Sequence, residues 1–350
     1  WLACWTSTET FAGTLGSDRD VFVARSTDNG VSWSAPVALN TNAASDWGDD
    51  SGVRVVADHS GHWIAVWAST ESLGATVGGD RDIFIARSSD AGLTWSAPMA
   101  LNTNAGSDKG FDNSPDIASD GHGRWLALWS SGDSRQGTIG RDSDILVARS
   151  DDNGASWSDP QPLNSNAASD VAADTLPKLA SDGRGAWVVL WASTASFDGA
   201  LGFDRDILVA RSVDNGASWT EARPLNPAAD SDSREDSAVN IVTDGQGKWV
   251  AVWHSWGGLS YTDGSDADVM VSYSGDNGRS WTPPDLVNRA GAKDLVDDLL
   301  PGLALDGAGH MVAIWQSFYP SPGSVAQAEW RVISSVGLIG EVPGALTGTN

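Results

Sequence analysis

A segment of the form Trp-x-x-x-Trp returns every 62 residues, led by Trp1, Trp63, Trp125, Trp187 and Trp249, and a sixth time with Met311 in the leading place. Five repeats follow one another without insertion or deletion, while the sixth, from Met311 to Asn350, has drifted. A short unit of this kind cannot bury its apolar face alone. It has to stack on its neighbours, so the chain is restricted to an array of equivalent units.

Within one unit, Trp63 to Arg124, four strand-like runs stand out: Trp63 to Ala68, Asp82 to Arg87, Trp95 to Leu101 and Asp116 to Ala118, separated by Gly- and Asp-rich turns. Helix formers are scarce, with 40 Asp against 6 Glu and only 3 Met, which disfavours helical bundles and doubly wound α/β folds. Four short strands per unit describe a blade of a β-propeller. Six units of 62 residues need 372, 22 more than the 350 present, and the shortfall matches one inner strand with its approach. The expectation is an all-β, six-bladed β-propeller of four-stranded antiparallel blades. It forms one domain over 1–350, with blades opening near residues 1, 52, 114, 176, 238 and 300. Trp1 would begin a second strand, with the inner strand of its blade missing or upstream.

The formal net charge of −25 makes nucleic acid and anionic membrane surfaces unfavourable partners, because both need Lys and Arg to neutralise phosphates. No window approaches the roughly 18 apolar residues of a bilayer span, so no membrane insertion is expected. The single cysteine, Cys4, excludes an intrachain disulfide and a thiolate metal cluster. The acidic, Trp- and Asn-rich composition suits an exported protein: extracellular, periplasmic or at a cell surface, with any signal peptide outside the sequence shown. The oligomeric state is left open.

Between the expected third and fourth strands lies Ser-x-Asp-x-Gly-x-Ser/Thr-Trp, as in Ser26, Asp28, Gly30, Ser32 and Trp33. Its other aspartates are Asp90, Asp152, Asp214 and Asp276. A short Asp side chain accepts bonds from turn N–H groups, Gly takes positive φ, and Trp plugs the hairpin. The motif resembles the Asp-box (BNR repeat) of the sialidase (neuraminidase) superfamily, over essentially the whole chain. The resemblance implies an Asp-box face turned away from any active site, and an exo-α-sialidase site of three Arg, an acid/base Asp and a Tyr nucleophile activated by a Glu. The first of those Arg stands two residues before an inner-strand Pro. Here Asn113, Thr175 and Leu299 hold that position before Pro115, Pro177 and Pro301.

Arg54, the one inner-strand arginine, is out of step with that position, so its side chain falls on the opposite face of the strand. Tyrosines number three, Tyr261, Tyr273 and Tyr319, and Tyr273 lies in the Asp-box strand. The catalytic candidates are therefore Arg54, Tyr261 and Tyr319.

Thirty of the 40 Asp fall in six columns that recur in the first five units, beginning at Asp18, Asp20, Asp28, Asp46, Asp50 and Asp58. One active site cannot recur around a ring, so these columns belong to the scaffold or to equivalent ligand sites. Four of them crowd one rim. Either they cap turns and pair with Arg19, Arg81 and Arg205, or they coordinate Ca²⁺ through Asp46, Asp50, Asp80, Asp82, Asp108, Asp112, Asp142 and Asp144.

Function is sought in unrepeated residues. Trp47 and Trp256 lie in loops of the acidic rim, where an aromatic ring can stack on a sugar, and His254, Tyr261, Arg289 and Tyr319 lie near Trp256. The reading is a non-catalytic recognition or surface-display module whose ligand is a glycan or another neutral or cationic molecule. Two alternatives stand beside it: an exo-α-sialidase or related glycoside hydrolase with an altered site, and a purely structural, Ca²⁺-stabilised surface protein.

Overall fold

The computed structural model describes residues 1–195, 201–202, 204–226, 229, 234–256, 266–287, 296–306, 308–320, 328–338 and 347–348. Of these, Gln136, 319–320, 328–330, 337–338 and 347–348 are described by backbone alone. Two compact units, Trp1–Val171 and Ala172–Asn350, each hold three antiparallel sheets.

In the first unit, β1 (Leu2–Ser7), β2 (Asp20–Arg25) and β3 (Val37–Ala38) form a sheet of three strands in chain order. Next come β4 (Asp50–Ala57), β5 (Trp63–Ser69), β6 (Asp82–Ser88) and β7 (Met99–Ala100), then β8 (Asp112–Ser119), β9 (Trp125–Ser131), β10 (Asp144–Ser150) and β11 (Gln161–Pro162). The second unit repeats the meander in β12 (Asp174–Ser181) to β15 (Arg223–Pro224), with β13 (Trp187–Ser193) and β14 (Asp206–Ser212) between them. It continues in β16 (Asp236–Thr243), β17 (Trp249–Trp256), β18 (Ala267–Ser274) and β19 (Asp285–Leu286), and ends in β20 (Asp298–Leu305), β21 (His310–Pro320), β22 (Ala328–Leu338) and β23 (Thr347–Gly348). The strand after Trp1 pairs with β2 as β5 pairs with β6, which gives it the second-strand position expected from the repeat.

Second strands carry continuous apolar runs where each face meets a core: in β5 Ile64 and Val66 join one cluster and Ala65 and Trp67 another, and in β17 Trp249 and Trp253 join one and Val250 and Val252 another. The two tryptophans of each Trp-x-x-x-Trp segment stand four residues apart on a strand, hence on one face. Trp125 and Trp129 pack with Ile64 and Val66 of the preceding sheet, and Trp249 and Trp253 pack with Val188 and Leu190. In the drifted repeat Met311 and Trp315 do the same with Val250 and Val252. The repeat is thus a list of intersheet plugs, and truncating one to Ala would cost about 3–5 kcal/mol.

Two local expectations need correction. Of the run Trp95 to Leu101, only Met99–Ala100 pairs in the sheet, because the residues before it close the hairpin: the Ser96 N–H donates to the Arg87 carbonyl at 2.8 Å. The inner strand is longer than Asp116 to Ala118. It runs over Asp112–Ser119 and is broken by a register shift between Asn113 and Asp116. The same bulge recurs in β4, β12, β16 and β20, with one residue at positive φ in each: Gly52 (65°), Ser114 (52°), Leu176 (56°), Ala238 (50°) and Leu300 (52°). Four of the five are not glycine, which hid the bulge from sequence inspection. No helix among the described residues is long and apolar enough to cross a membrane.

Candidate functional site

Each blade places aspartates at opposite ends of its strands. At the Asp-box end, the Ser26 hydroxyl donates to Asp28 Oδ1 at 2.7 Å, and Ser32 gives Asp28 its backbone N–H at 2.9 Å and its hydroxyl at 2.5 Å. The Gly30 N–H donates to Ser26 Oγ at 2.8 Å, while Asn29 (58°) and Gly30 (85°) take the positive φ angles of the turn. The network repeats around Asp90, Asp152, Asp214 and Asp276. Hydrogen bonds from the Ser32 hydroxyl and backbone hold the Asp28 carboxyl down at about 2, and Asp90 and Asp152 sit at about 2 through their own Thr94 and Ser156. Asp58 also lies at about 2. Burial would raise it, and hydrogen bonds from Ser60 and His62 overcome that burial.

The other end is short of donors. Asp18, Asp20 and Asp46 come together with one carboxylate oxygen of each within 4.8 Å of the others, and so do Asp80, Asp82, Asp108 and Asp142, Asp144, Asp170. Asn40 Nδ2 donates to Asp20 Oδ1 at 2.8 Å, with Asn102 and Asn164 serving Asp82 and Asp144 at 2.7 and 3.0 Å. The second oxygens of Asp20, Asp82 and Asp144 have no partner, although all three residues are 0% exposed. Two full charges at 4.8 Å repel by about 3 kcal/mol at an effective dielectric of about 20. Burial, then the neighbouring Asp20 and Asp18, pushes Asp46 up to about 7, and burial, then Asp82 and Asp80, does the same to Asp108. Asp50 and Asp112 stand beside these groups rather than within them, each 1% exposed, and burial raises Asp50 to about 8. The expected arginine partners are not there. Among the described residues no ion pair joins Arg19, Arg81 or Arg205 to a carboxylate, and Arg81 instead donates to Asn113 Oδ1 at 2.9 Å.

Beside the second trio opens a pocket of about 500 Å³, lined by Asn104, Asp108, Lys109, Asp133, Arg135 and their neighbours. Asn104 Nδ2 donates to Asp108 Oδ2 at 2.8 Å and to Asp133 Oδ2 at 2.7 Å, so the floor is rigid and polar. Arg135 sits in a single 3₁₀ turn, Arg135–Gly137, whose N-terminal N–H donates to Asp133 Oδ1 at 3.0 Å.

The model of the BNR repeat-like domain matches residues 2–252. The chain belongs to the BNR repeat-like domain family. Among solved structures it is similar to a Hadza microbial sialidase, with 18% identity over 85% of this chain and 57% of that one and a TM-score of 0.51. It is similar also to the intramolecular trans-sialidase from Ruminococcus gnavus in complex with oseltamivir carboxylate (12%, 90% and 86% covered, TM-score 0.53). A third is the Penicillium chrysogenum α-L-arabinanase complexed with arabinobiose (15%, 97% and 90% covered, TM-score 0.52). At these identities the likeness shows the fold alone: an all-β, sialidase-like, six-bladed propeller with mainly four-stranded antiparallel blades. The chain spans 57% and 58% of the first two structures it matches. No curated protein matches the sequence.

The BNR scaffold disperses the other candidates. Arg54 Nε lies 3.6 Å from Asp116 Oδ1, on the adjacent inner strand β8, so its guanidinium already has a carboxylate. Trp47 is 84% exposed, with its backbone N–H donating to Glu71 Oε2 at 3.3 Å. His254 is buried in β17 with Nδ1 unpartnered, and that burial lowers its pKa to about 4, while Trp256 ends the same strand 40% exposed. Tyr261 and Arg289 lie outside the described residues, as does the side chain of Tyr319. Sequence inspection passed over Lys109, Asp133 and Arg135. The signal was available: Lys109 occupies the repeat position of Trp47 and Val171, and Arg135 that of Phe11 and Leu73, so both are unrepeated residues in a repeated frame.

Proposed function

We propose that this BNR propeller is a non-catalytic sugar-recognition module that takes a neutral or cationic glycan in the polar pocket at Asn104, Lys109, Asp133 and Arg135. The supporting observation is the pocket itself: about 500 Å³, with donors and acceptors fixed by the Asn104–Asp108–Asp133 hydrogen bonds and a guanidinium beside them. Fixed carboxylates and amides suit sugar hydroxyls, and the surrounding acid disfavours a carboxylated sugar such as sialic acid. The arabinanase that shares this fold was captured with arabinobiose, a neutral disaccharide, which motivates an arabinan-type oligosaccharide among the first ligands to try. Against a working sialidase stands Arg54. It is the arginine on an inner strand, and its Nε lies 3.6 Å from a carboxylate of the chain itself, Asp116.

The test is a glycan array with neutral and sialylated ligands, run beside a fluorogenic sialoside assay. Binding to neutral glycans, weakened tenfold or more by Arg135→Ala, with no sialoside turnover, is the expected result. Sialoside hydrolysis would replace this reading with the enzyme, and binding untouched by Arg135→Ala would move the site elsewhere, towards Trp47 or Trp256.

A further inference from the structure

Three groups of three carboxylates, built from the same repeat positions, are conspicuous in a protein that supplies them with so few donors. We propose that each of the groups Asp18–Asp20–Asp46, Asp80–Asp82–Asp108 and Asp142–Asp144–Asp170 is a Ca²⁺ site, so that one ion is held per blade in the first unit. The proposal does not rest on the sugar-binding reading, although the second group shares Asp108 with that pocket.

Four observations converge. Two oxygens bound to one Ca²⁺ at about 2.4 Å can be at most about 4.8 Å apart. One oxygen from each member of every group meets that limit. The central aspartates Asp20, Asp82 and Asp144 are wholly buried, and each keeps one oxygen without a partner while an asparagine amide fixes the other. A buried carboxylate oxygen with no donor is costly unless a cation takes it.

Further free oxygens surround the groups. Asp50 Oδ2 and Asp112 Oδ1 are unpartnered in residues 1% exposed, and the charges acting on Asp50 are those of Asp46 and Asp20. The side-chain carbonyl of Asn104, whose amide donates to Asp108 at 2.8 Å, is likewise buried and unpartnered and adds to the oxygen supply that a Ca²⁺ ion needs.

Lastly, a glycine precedes each group at the same place. A Cβ on Gly16, Gly78 or Gly140 would come within 2.2, 2.4 or 2.1 Å of Oδ1 of Asp18, Asp80 or Asp142. The glycine therefore keeps open the space that this carboxylate occupies. Turn capping alone does not require it, since the capped aspartates of the Asp-box engage N–H groups and hydroxyls, and here the oxygens face one another. The donor set is oxygen throughout, with no His or Cys in any group, which selects a hard cation. Three short carboxylates in a preformed pocket favour Ca²⁺ over Mg²⁺, which keeps its waters.

Isothermal titration of EDTA-stripped, dialysed protein with CaCl₂, and separately with MgCl₂, tests the proposal. The wild-type chain should bind at least three equivalents of Ca²⁺, with Mg²⁺ at least tenfold weaker. Asp82→Asn and Asp144→Asn should each remove one equivalent, whereas Asp90→Asn, in an Asp-box, should remove none. The wild-type stoichiometry stands even if a variant fails to fold. Fewer than three equivalents, or a count that the rim variants leave unchanged, overturns the proposal.

Discussion

Asp82 opens strand β6 and Asp90 stands in the turn just past its other end, and their environments are inverted. Asp90 accepts from the Ser88 and Thr94 hydroxyls and the Thr94 N–H, is partly exposed, and is held down at about 2 by those bonds. Asp82 is wholly buried, accepts from Asn102, faces Asp80 and Asp108, and is raised to about 6, chiefly by burial. The two aspartates belong to different repeat columns, and each column keeps its own role from blade to blade. What separates the two is the donor count: the Asp-box surrounds its carboxylate with hydroxyls and turn N–H groups, and the rim surrounds its carboxylate with other carboxylates.

The contrast predicts opposite signs for the same chemical change. In EDTA, Asp82→Asn relieves repulsion within its group and should stabilise the fold by about 1–2 kcal/mol, since the amide oxygen can still accept from Asn102. Asp276→Ala in the Asp-box should destabilise by about 1 kcal/mol, the usual cost of a lost cap in an exposed turn. Urea midpoints of both variants in EDTA read the two signs directly. Matching signs would break the comparison.

Acid sharpens it further. The Asp-box carboxyls are depressed from an ordinary 3.8 to about 2, so the stability they contribute is complete above about pH 4 and is lost as the pH falls through 2. Melting temperature followed from pH 5 to pH 2 should drop for the wild type, and the drop should be shallower for Asp152→Asn. A smaller effect is expected at the inner-strand bulge, where Ala238 is held at φ 50°. Ala238→Gly should change stability by no more than about 1 kcal/mol, because relieved strain opposes the added freedom of the unfolded chain. A larger loss would mean that the Ala238 methyl packs more than the bulge geometry implies.

Much of the fold was legible because the 62-residue spacing fixes which residues share a face, and Trp125, Trp129, Trp249 and Trp253 do plug the sheets as that spacing requires. The bulge was not, since Ser114, Leu176, Ala238 and Leu300 carry no glycine signal. At the acidic rim the columns could be counted, but grouping needs three dimensions. Asp18, Asp20 and Asp170 join trios that spacing alone did not assign to them, while Asp50 and Asp112 stand alongside. The pocket at Lys109 and Arg135 was missed because its residues come from two successive loops, Asn104–Lys109 and Asp133–Thr138, which only the fold brings together.

The claim that the two ends of each blade in the first unit differ in their need for a cation is tested most directly by thermal unfolding at fixed ionic strength, in excess EDTA and in Ca²⁺ at about one hundred times its Kd. An ion bound only by the folded state stabilises it by about 2.7 kcal/mol per site under those conditions. The wild type should therefore melt at least about 5 °C higher with Ca²⁺. Asp152→Asn should keep that full increment, while Asp82→Asn should lose part of it. Superimposable curves with and without Ca²⁺, or an increment that the Asp-box variant loses and the rim variant keeps, would contradict the account.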